Sequence, residues 1–157
     1  MLVSPKRILW PTDFSPLSLH GARYARAFRE TYKAELHVVH VLAPPMTPDV
    51  SVALPAETSA DYAEDELLNA CRQRLVELVT TEFGSADDVM CDVFFGNSWS
   101  AICSYAEQSE IDLVIVATHG RTGLRHVLIG STAERIVQHA PCPVLVVKGS
   151  EKDFIVE

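Results

Sequence analysis

The stretch Asp112-Leu-Val-Ile-Val-Ala117 is the clearest strand signal in this chain of 157 residues. Its apolar residues follow one another without alternation, which is typical of a parallel strand covered on both faces. A glycine-containing loop follows, from Thr118 to Gly130. The loop leads into Ser131-Thr-Ala-Glu134, where a serine with a glutamate three residues later predicts a capping box at a helix start. This strand, loop and helix start are the local pattern of an α/β protein.

Short β-branched runs and longer amphipathic stretches alternate along the rest of the chain. Strands are predicted at about residues 6–10, 35–42, 89–95, 112–117 and 144–147, and helices at about residues 15–32, 59–83, 98–108 and 131–139. Ser15 before Pro16 is typical of a helix N-cap with proline at the first helical position. This order predicts an α/β fold with one open five-stranded parallel sheet and helices on both faces.

Composition limits the classes of partner. The formal net charge is −8, so a nucleic acid or an anionic membrane is not expected as the main partner. The four cysteines form no Cys-x-x-Cys pair, which favours reduced thiols over a disulfide framework or zinc site. His37 and His40 are three residues apart on a predicted strand and therefore point to opposite faces, so no metal site is predicted. With no long apolar segment at the N-terminus or elsewhere, we expect a cytoplasmic protein.

The candidate ligand site lies in the loops that follow the strands, because ligands of such sheets bind beyond the carboxyl ends. The loop after Ala117 is the strongest candidate, since glycines let the backbone approach a phosphate and a helix N-terminus presents N–H groups to it. Within or beside this loop, His119 and Arg121 could contact a phosphate, although loop bracing and solvent exposure are the ordinary roles of such residues. Ser131 could donate to a phosphate or act only as a helix cap. The P-loop, dinucleotide-binding and nucleophile-elbow motifs do not occur.

Several segments together form a more specific pattern. They are Pro11-Thr-Asp-Phe-Ser15, His40-Val41, Gly120 with nine residues before Gly130-Ser131, and Ala140-Pro-Cys-Pro-Val-Leu-Val-Val147. In order and spacing they resemble the universal stress protein family over roughly residues 6–148. The nucleotide motif of that family is Gly-x-x-Gly, nine residues, then Gly-Ser/Thr, and here Ala117 replaces its first glycine.

The resemblance implies a Rossmann-like sheet of strand order 3-2-1-4-5 in a single domain, residues 1–157 with a core at about 6–148. It implies an adenine-nucleotide-binding regulatory protein of the stress response, holding ATP (or ADP or AMP) with Mg²⁺ and hydrolysing it slowly at most. It also implies a homodimer through the strand at residues 143–147 and an unknown protein partner. The implied pocket residues are Asp13 at the adenosine, the Val41 backbone at the adenine, Pro11, Thr12 and Ala117 as lining, and Gly120, Gly130, Ser131 and Thr132 at the phosphates.

Alternatives remain open at this point. A nucleotide-independent dimeric interaction module is the first, because an alanine forced to positive φ at position 117 would cost about 1 kcal/mol. An enzyme on a related α/β nucleotide fold is less favoured, since no His-x-Gly-His or Ser-Gly-Gly loop occurs. Asp13 could serve only as an Asx-type cap. The tail at residues 152–157 could cover the edge of the fifth strand in place of a second copy.

Overall fold

Strands and helices alternate in the computed structural model, which describes residues 4–44, 60–118, 130–149 and 154–155. Within these ranges the elements are β1 (Arg7–Pro11), α1 (Pro16–Tyr32), β2 (Glu35–Leu42), α2 (Ala60–Phe83), β3 (Val89–Phe95), α3 (Ser98–Gln108), β4 (Leu113–Ala117), α4 (Ser131–His139) and β5 (Val144–Val147). The predicted elements are confirmed, with boundaries shifted by one or two residues. The predicted first strand extends one residue further, because Pro11 belongs to β1.

The five strands form one parallel sheet in the order β3-β2-β1-β4-β5, which confirms the predicted fold class and strand order. β1 lies in the middle, where Ile8 is paired with Leu36 of β2 on one side and with Leu113 of β4 on the other. The chain moves outward from β1 to β3, then returns to the opposite side of β1 as β4. The order therefore reverses between β1 and β4, and a crevice is expected at their carboxyl ends.

Helices cover both faces of the sheet, and neighbouring residues of β1 point to opposite faces and belong to different cores. Trp10 is fully buried in the core beneath α1 and α2, together with Leu75 of α2. Leu9 is fully buried in the second core, beneath α3 and α4, where it packs with Ile136. Full burial of such side chains stabilises the fold by about 1.5–3 kcal/mol each. Because both faces of the sheet are buried, successive residues of its strands are apolar without alternation.

The ends of α1 follow the predicted capping chemistry. Ser15 has extended backbone, and its hydroxyl accepts a hydrogen bond from the Ser18 N–H. Pro16 is the first helical residue, where its missing N–H and fixed φ suit the helix start. At the other end, Lys33 adopts a left-handed conformation (φ 54°) and donates its N–H to the carbonyl of Arg29. Local sequence thus sets both ends of the helix that follows the first strand loop.

Two further expectations can be compared with the described residues. All four cysteines are unpaired thiols and only partly exposed, and burial raises the pKa of Cys91, Cys103 and Cys142. Across these ranges, no helix combines the length and apolar character needed to cross a bilayer.

The predicted edge strand β5 pairs with β4 and ends the sheet. From the tail, Phe154 places its ring 5.2 Å from that of Tyr24 on α1, and Ile155 packs against the core beneath α1 and α2. The remainder of residues 150–157 lies outside the described ranges.

Candidate functional site

A pocket opens at the carboxyl ends of β1, β2 and β4, at the expected reversal of strand order. Its volume is about 190 Å³. That is more than ten times the roughly 10–15 Å³ that one water needs, so a group much larger than a water can enter. Its described lining residues are Pro11, Thr12, Asp13, Ser15, Leu17, Ser18, Val39, His40, Val41, Ser98, Ile102, Val116, Ala117, Thr132, Ala133 and Ile136. Most of the lining therefore comes from the ends of strands and from the segments that follow them, where the sequence analysis expected the ligand site.

The loop after β1 is held by its own side chains. The Thr12 hydroxyl oxygen accepts from the Phe14 N–H (3.1 Å) and from the Ser18 hydroxyl (2.8 Å). Asp13 Oδ1 accepts from the Ser15 N–H at 2.9 Å, which closes an Asx turn. Thr12 itself is buried and donates its N–H to the Val39 carbonyl at 2.9 Å. These bonds fix the loop backbone without any ligand.

Asp13 makes the Asx turn and also borders the pocket. Its carboxylate accepts from the Ser15 N–H, as a plain cap would, and it lines the pocket from an exposed position. The capping role that the sequence left open is therefore present, and the ligand contact stays a prediction.

The end of β2 contributes two neighbouring residues to the pocket. Val41, predicted to lie at the adenine, lines the pocket and is partly buried. His40, which was not predicted as a site residue, also lines it, and its Nδ1 lies 2.8 Å from the Thr12 carbonyl oxygen. Because a carbonyl oxygen only accepts, Nδ1 carries a proton and donates. The only sequence signal for His40 was its position at a strand end, next to Val41.

His37 and His40 lie on opposite faces of the sheet, as their spacing predicted. The His37 Nδ1 is 2.9 Å from the Tyr105 hydroxyl on α3, whereas the His40 ring faces Phe14 with centroids 4.5 Å apart. Burial lowers the pKa of His37. The two imidazoles therefore share no ligand, and within the described ranges no cluster of three or more His, Cys, Asp or Glu side chains could hold a metal ion.

Ala117, which replaces the first motif glycine, ends β4 with ordinary strand backbone. It is paired with Val147 of β5, and in the described part of the chain only Phe14, Lys33 and Glu110 have positive φ outside glycine. A methyl group at this position therefore causes no backbone strain. Ala117 lines the pocket beside Gly21 of α1, where an added Cβ would lie 3.8 Å from the Ala117 methyl. The position requires a small side chain and does not require glycine.

The start of α4 differs from the predicted capping box. Gly130 occupies the N-cap position with φ −67° and ψ 152°, and no side chain caps the helix. Ser131, the predicted cap, is instead the first helical residue, one place beyond the observed cap, so its hydroxyl cannot play the capping-box role. Glu134 instead has its Oε1 3.4 Å from the Gln138 side-chain amide, which donates to it. The capping-box prediction is wrong because the helix begins one residue after Gly130 and not after Ser131.

The α4 terminus lies beside the pocket. Thr132 and Ala133 line the pocket, while Gly130 is partly buried and Ser131 is exposed, and neither of these two is among the described lining residues. A helix N-terminus carries a partial positive charge and favours anions. The three other predicted phosphate contacts, His119, Gly120 and Arg121, lie outside the described residues.

The start of α3 adds lining that sequence analysis did not select. Ser98 and Ile102 border the pocket, and Asn97 caps the helix by accepting from the Ser100 N–H at 3.5 Å. The loop after Phe95 was a candidate by its place after a strand, yet no residue type in it singled out Ser98. The pocket thus combines apolar valine and isoleucine side chains with polar groups, a composition typical of small-molecule sites.

Comparison with known proteins gives a consistent result across the chain. The universal stress protein family model matches residues 5–148. The chain is 35% identical over 152 residues to Universal stress protein MJ0531 of Methanocaldococcus jannaschii, covering 94% of this chain and 85% of that protein. It is 28% identical over 158 residues to Universal stress protein MJ0577 of the same organism, covering 94% of this chain and 98% of that protein.

Solved structures share the fold. The structure of MJ0577 superposes with a TM-score of 0.70 at 28% identity, covering 96% of this chain and all (100%) of that one. Universal stress protein UspA from Lactobacillus plantarum gives a TM-score of 0.66 at 29% identity, covering 93% and 99%. A universal stress protein in complex with cAMP gives a TM-score of 0.65, covering 94% and 100%, and its 18% identity supports the fold alone.

Proposed function

The chain belongs to the universal stress protein family, and we propose that it binds ATP, or the related ADP or AMP, as a regulatory module of the stress response. The main support for this proposal is the pocket at the carboxyl ends of β1 and β4. Asp13, Val41, Ala117 and Thr132 all line this pocket. These four residues are far apart in sequence, and the resemblance to the family had implied each of them as a pocket residue.

The adenosine part of the nucleotide fits the end of the pocket near β1 and β2. Val39 and Val41 offer an apolar surface for a flat base, and Pro11 and Thr12 close the wall beside them. The Asp13 carboxylate can accept hydrogen bonds from ribose hydroxyls, which are donors of the kind that an ionised carboxylate takes. Because the Thr12–Ser15 loop is fixed by internal hydrogen bonds, little ordering is required on binding, which favours affinity.

The phosphates fit the side of the pocket at α4. Gly130 places no side chain over the helix start, so an anion can approach the first-turn N–H groups and the positive end of the helix dipole. In this proposal Gly120, Gly130, Ser131 and Thr132 hold the phosphates, with His119 and Arg121 beside them. Mg²⁺ accompanies the triphosphate, and turnover is limited to slow hydrolysis.

One observation from a structural neighbour is compatible with this ligand class. A universal stress protein with the same fold has been solved with cAMP, which is an adenine nucleotide. The nucleotide-independent alternative depended on strain at Ala117, and the strand backbone of that residue removes the argument. Homodimerisation through β5, the protein partner and the cytoplasmic location remain predictions, as does a single domain over residues 1–157.

The test is calorimetric titration of ATP, AMP and GTP into nucleotide-stripped protein, with and without Mg²⁺. Two variants locate the site: Asp13→Asn for the ribose end and Gly130→Val for the phosphate end. An asparagine oxygen can still accept from the Ser15 N–H, so the Asx turn should be retained, and the melting temperature of the variant checks its fold.

The Asp13→Asn variant also distinguishes the loss of a hydrogen bond to the nucleotide from the loss of a negative charge near it. Removing a negative charge near a polyanion would by electrostatics alone strengthen binding. A lost hydrogen bond to a charged group, about 1.5–3 kcal/mol, weakens binding by roughly 10- to 150-fold. Weaker ATP binding at an unchanged melting temperature therefore supports the proposal. A folded wild-type protein that binds no adenine nucleotide at millimolar concentration refutes it.

A further inference from the structure

Three planar groups contact one another beside the pocket, from α2 to the end of β2: the Arg74 guanidinium, the Phe14 ring and the His40 ring. The Arg74 guanidinium carbon lies 4.2 Å from the centroid of the Phe14 ring, and the Phe14 ring lies 4.5 Å from the His40 ring. We propose that Arg74 is a positioning residue for the pocket: through Phe14 and His40 it holds the Thr12–Asp13 backbone in the ligand-binding geometry. This inference rests on the proposed nucleotide-binding function.

Phe14 needs such support because its backbone is unfavourable. Its φ is 61°, in the left-handed region that large side chains rarely adopt. Residues held in such conformations persist only where the surroundings determine them, and they concentrate at ligand sites. Arg74 and His40 provide part of these surroundings, since both contact the Phe14 ring.

Phe14 and His40 are both connected to the pocket by hydrogen bonds to Thr12. The Phe14 N–H donates to the Thr12 hydroxyl oxygen at 3.1 Å, and the His40 Nδ1 donates to the Thr12 carbonyl at 2.8 Å. Thr12 lines the pocket next to Asp13. A shift of the Phe14 ring would therefore disturb the hydrogen bonds to both the Thr12 hydroxyl and the Thr12 carbonyl and, with them, the neighbouring Asp13.

Arg74 is exposed, yet its position on α2 is well determined. Its neighbour Leu75 is fully buried in the core beneath α1 and α2, and so is Val79 one turn later. The helix thus fixes the base of the Arg74 side chain, while the guanidinium covers Phe14. A guanidinium over an aromatic ring is a favourable cation–π arrangement, so the Arg74 contact contributes to holding the Phe14 ring.

The chain offers a matched control on the same helix. Arg72 is also exposed, and its guanidinium is 3.9 Å from Asp92 on β3 rather than over Phe14. Arg74→Met and Arg72→Met each remove one positive charge from α2 and retain a long apolar side chain. Neutral adenosine is the suitable probe. Loss of an arginine charge weakens the long-range attraction for the anionic ATP but has no such effect on an uncharged ligand.

The experiment compares adenosine and ATP affinity, melting temperature and amide hydrogen exchange in wild type, Arg74→Met, Arg74→Lys and Arg72→Met. We expect Arg74→Met to bind both ligands about 2- to 5-fold more weakly, the loss of an exposed cation–π contact. Arg74→Lys recovers part of the loss, because it keeps a cation over the ring. Arg72→Met binds adenosine as wild type does, and the melting temperatures of the two methionine variants agree.

Hydrogen exchange tests the same inference without any ligand. The Phe14 and Ser15 amides, both bonded within the loop, should exchange faster in Arg74→Met and at the wild-type rate in Arg72→Met. Wild-type adenosine affinity and unchanged loop exchange in Arg74→Met overturn the inference, as does an equal effect in Arg72→Met. If wild type binds neither ligand, the proposed function fails, and the exchange comparison alone decides whether Arg74 positions the loop.

Discussion

Restoring the missing motif glycine, by Ala117→Gly, should lower stability without improving nucleotide binding. The family pattern suggests the opposite, because glycine occupies this place in the motif that the chain resembles. Ala117, however, is the last residue of β4, is paired with Val147 and has no positive φ. Glycine would therefore add conformational freedom that the folded backbone does not use.

The size of the effect follows from two terms. Glycine in a strand interior is less favourable than alanine by about 0.5–1 kcal/mol, because the unfolded chain gains entropy. The lost methyl group is partly buried beside Gly21, and half of the roughly 0.8 kcal/mol for a buried carbon group adds about 0.4 kcal/mol. We expect a decrease of about 1–1.5 kcal/mol in the free energy of unfolding. For a chain of this size, that corresponds to a melting temperature lower by roughly 2–6 °C.

Urea unfolding and ATP titration of the same samples check both parts. The ATP dissociation constant of Ala117→Gly should stay within about twofold of wild type, since neither the backbone nor a polar contact changes. Ala117→Val is the complementary variant: valine suits a strand, so the fold is retained, but its added methyls enter the pocket. Overpacking of about 1–3 kcal/mol would weaken ATP binding roughly 5- to 150-fold. An Ala117→Gly protein that is as stable as wild type, or that binds ATP tenfold more tightly, refutes the reasoning.

Three other predictions concern stability. Ser15→Ala removes the α1 cap and should lower the free energy of unfolding by about 1 kcal/mol, whereas Ser15→Asn keeps a capping oxygen and should change it little; equal urea midpoints for the two variants would contradict the cap. Asp112 Oδ2 accepts from the Lys6 and Arg7 N–H groups at 2.7 and 2.9 Å. Asp112→Ala should therefore lower the free energy of unfolding by about 1–2 kcal/mol in a urea titration. The isosteric Asp112→Asn keeps an acceptor oxygen and should recover most of this loss. His37 has a pKa lowered by burial, so the unfolded chain binds its proton first as the pH falls below about 6.5, and stability decreases from there down to the folded-state pKa. His37→Asn should flatten that decrease in melting temperature between pH 7.5 and 5, and a pH profile identical to wild type would exclude His37 as a source.

The pH prediction depends on the surroundings of His37. Its Nε2 is 3.2 Å from Glu35 Oε1 without satisfying hydrogen-bond geometry. Burial is the largest influence and lowers the pKa of His37, while the Glu35 carboxylate raises it by less. Arg7 lowers it further, and Glu35 is itself shared with Arg7 at 3.6 Å. The balance therefore favours the neutral imidazole, which bonds the Tyr105 hydroxyl through Nδ1.

Sequence patterns predicted the fold more completely than the pocket, and the reason is physical. Strands such as Leu113–Ala117 are buried on both faces, so their apolar runs are long and unambiguous. The strand order and the pocket residues Asp13, Val41 and Thr132 came from the family resemblance, and the structure brings these three residues to one pocket. His40 and Ser98 reach the pocket only through packing and through the angle of a helix start, which no local pattern contains. The α4 start was misplaced by one residue, because Gly130 and Ser131 are both suitable caps in sequence.

The two sides of the pocket differ in how they are stabilised, and this difference has a consequence for binding. On the β1 side, the side chains of Thr12, Asp13 and Ser15 accept hydrogen bonds from backbone N–H groups two or three residues later, so the loop is formed before a ligand arrives. On the α4 side, Gly130 offers no side chain to the helix start, and an anion is the partner that such a terminus favours. A nucleotide that binds across both sides would therefore meet a rigid adenosine end and add its stabilisation mainly to α4. Protection from hydrogen exchange on ATP binding should accordingly increase more in residues 131–139 than in residues 12–18.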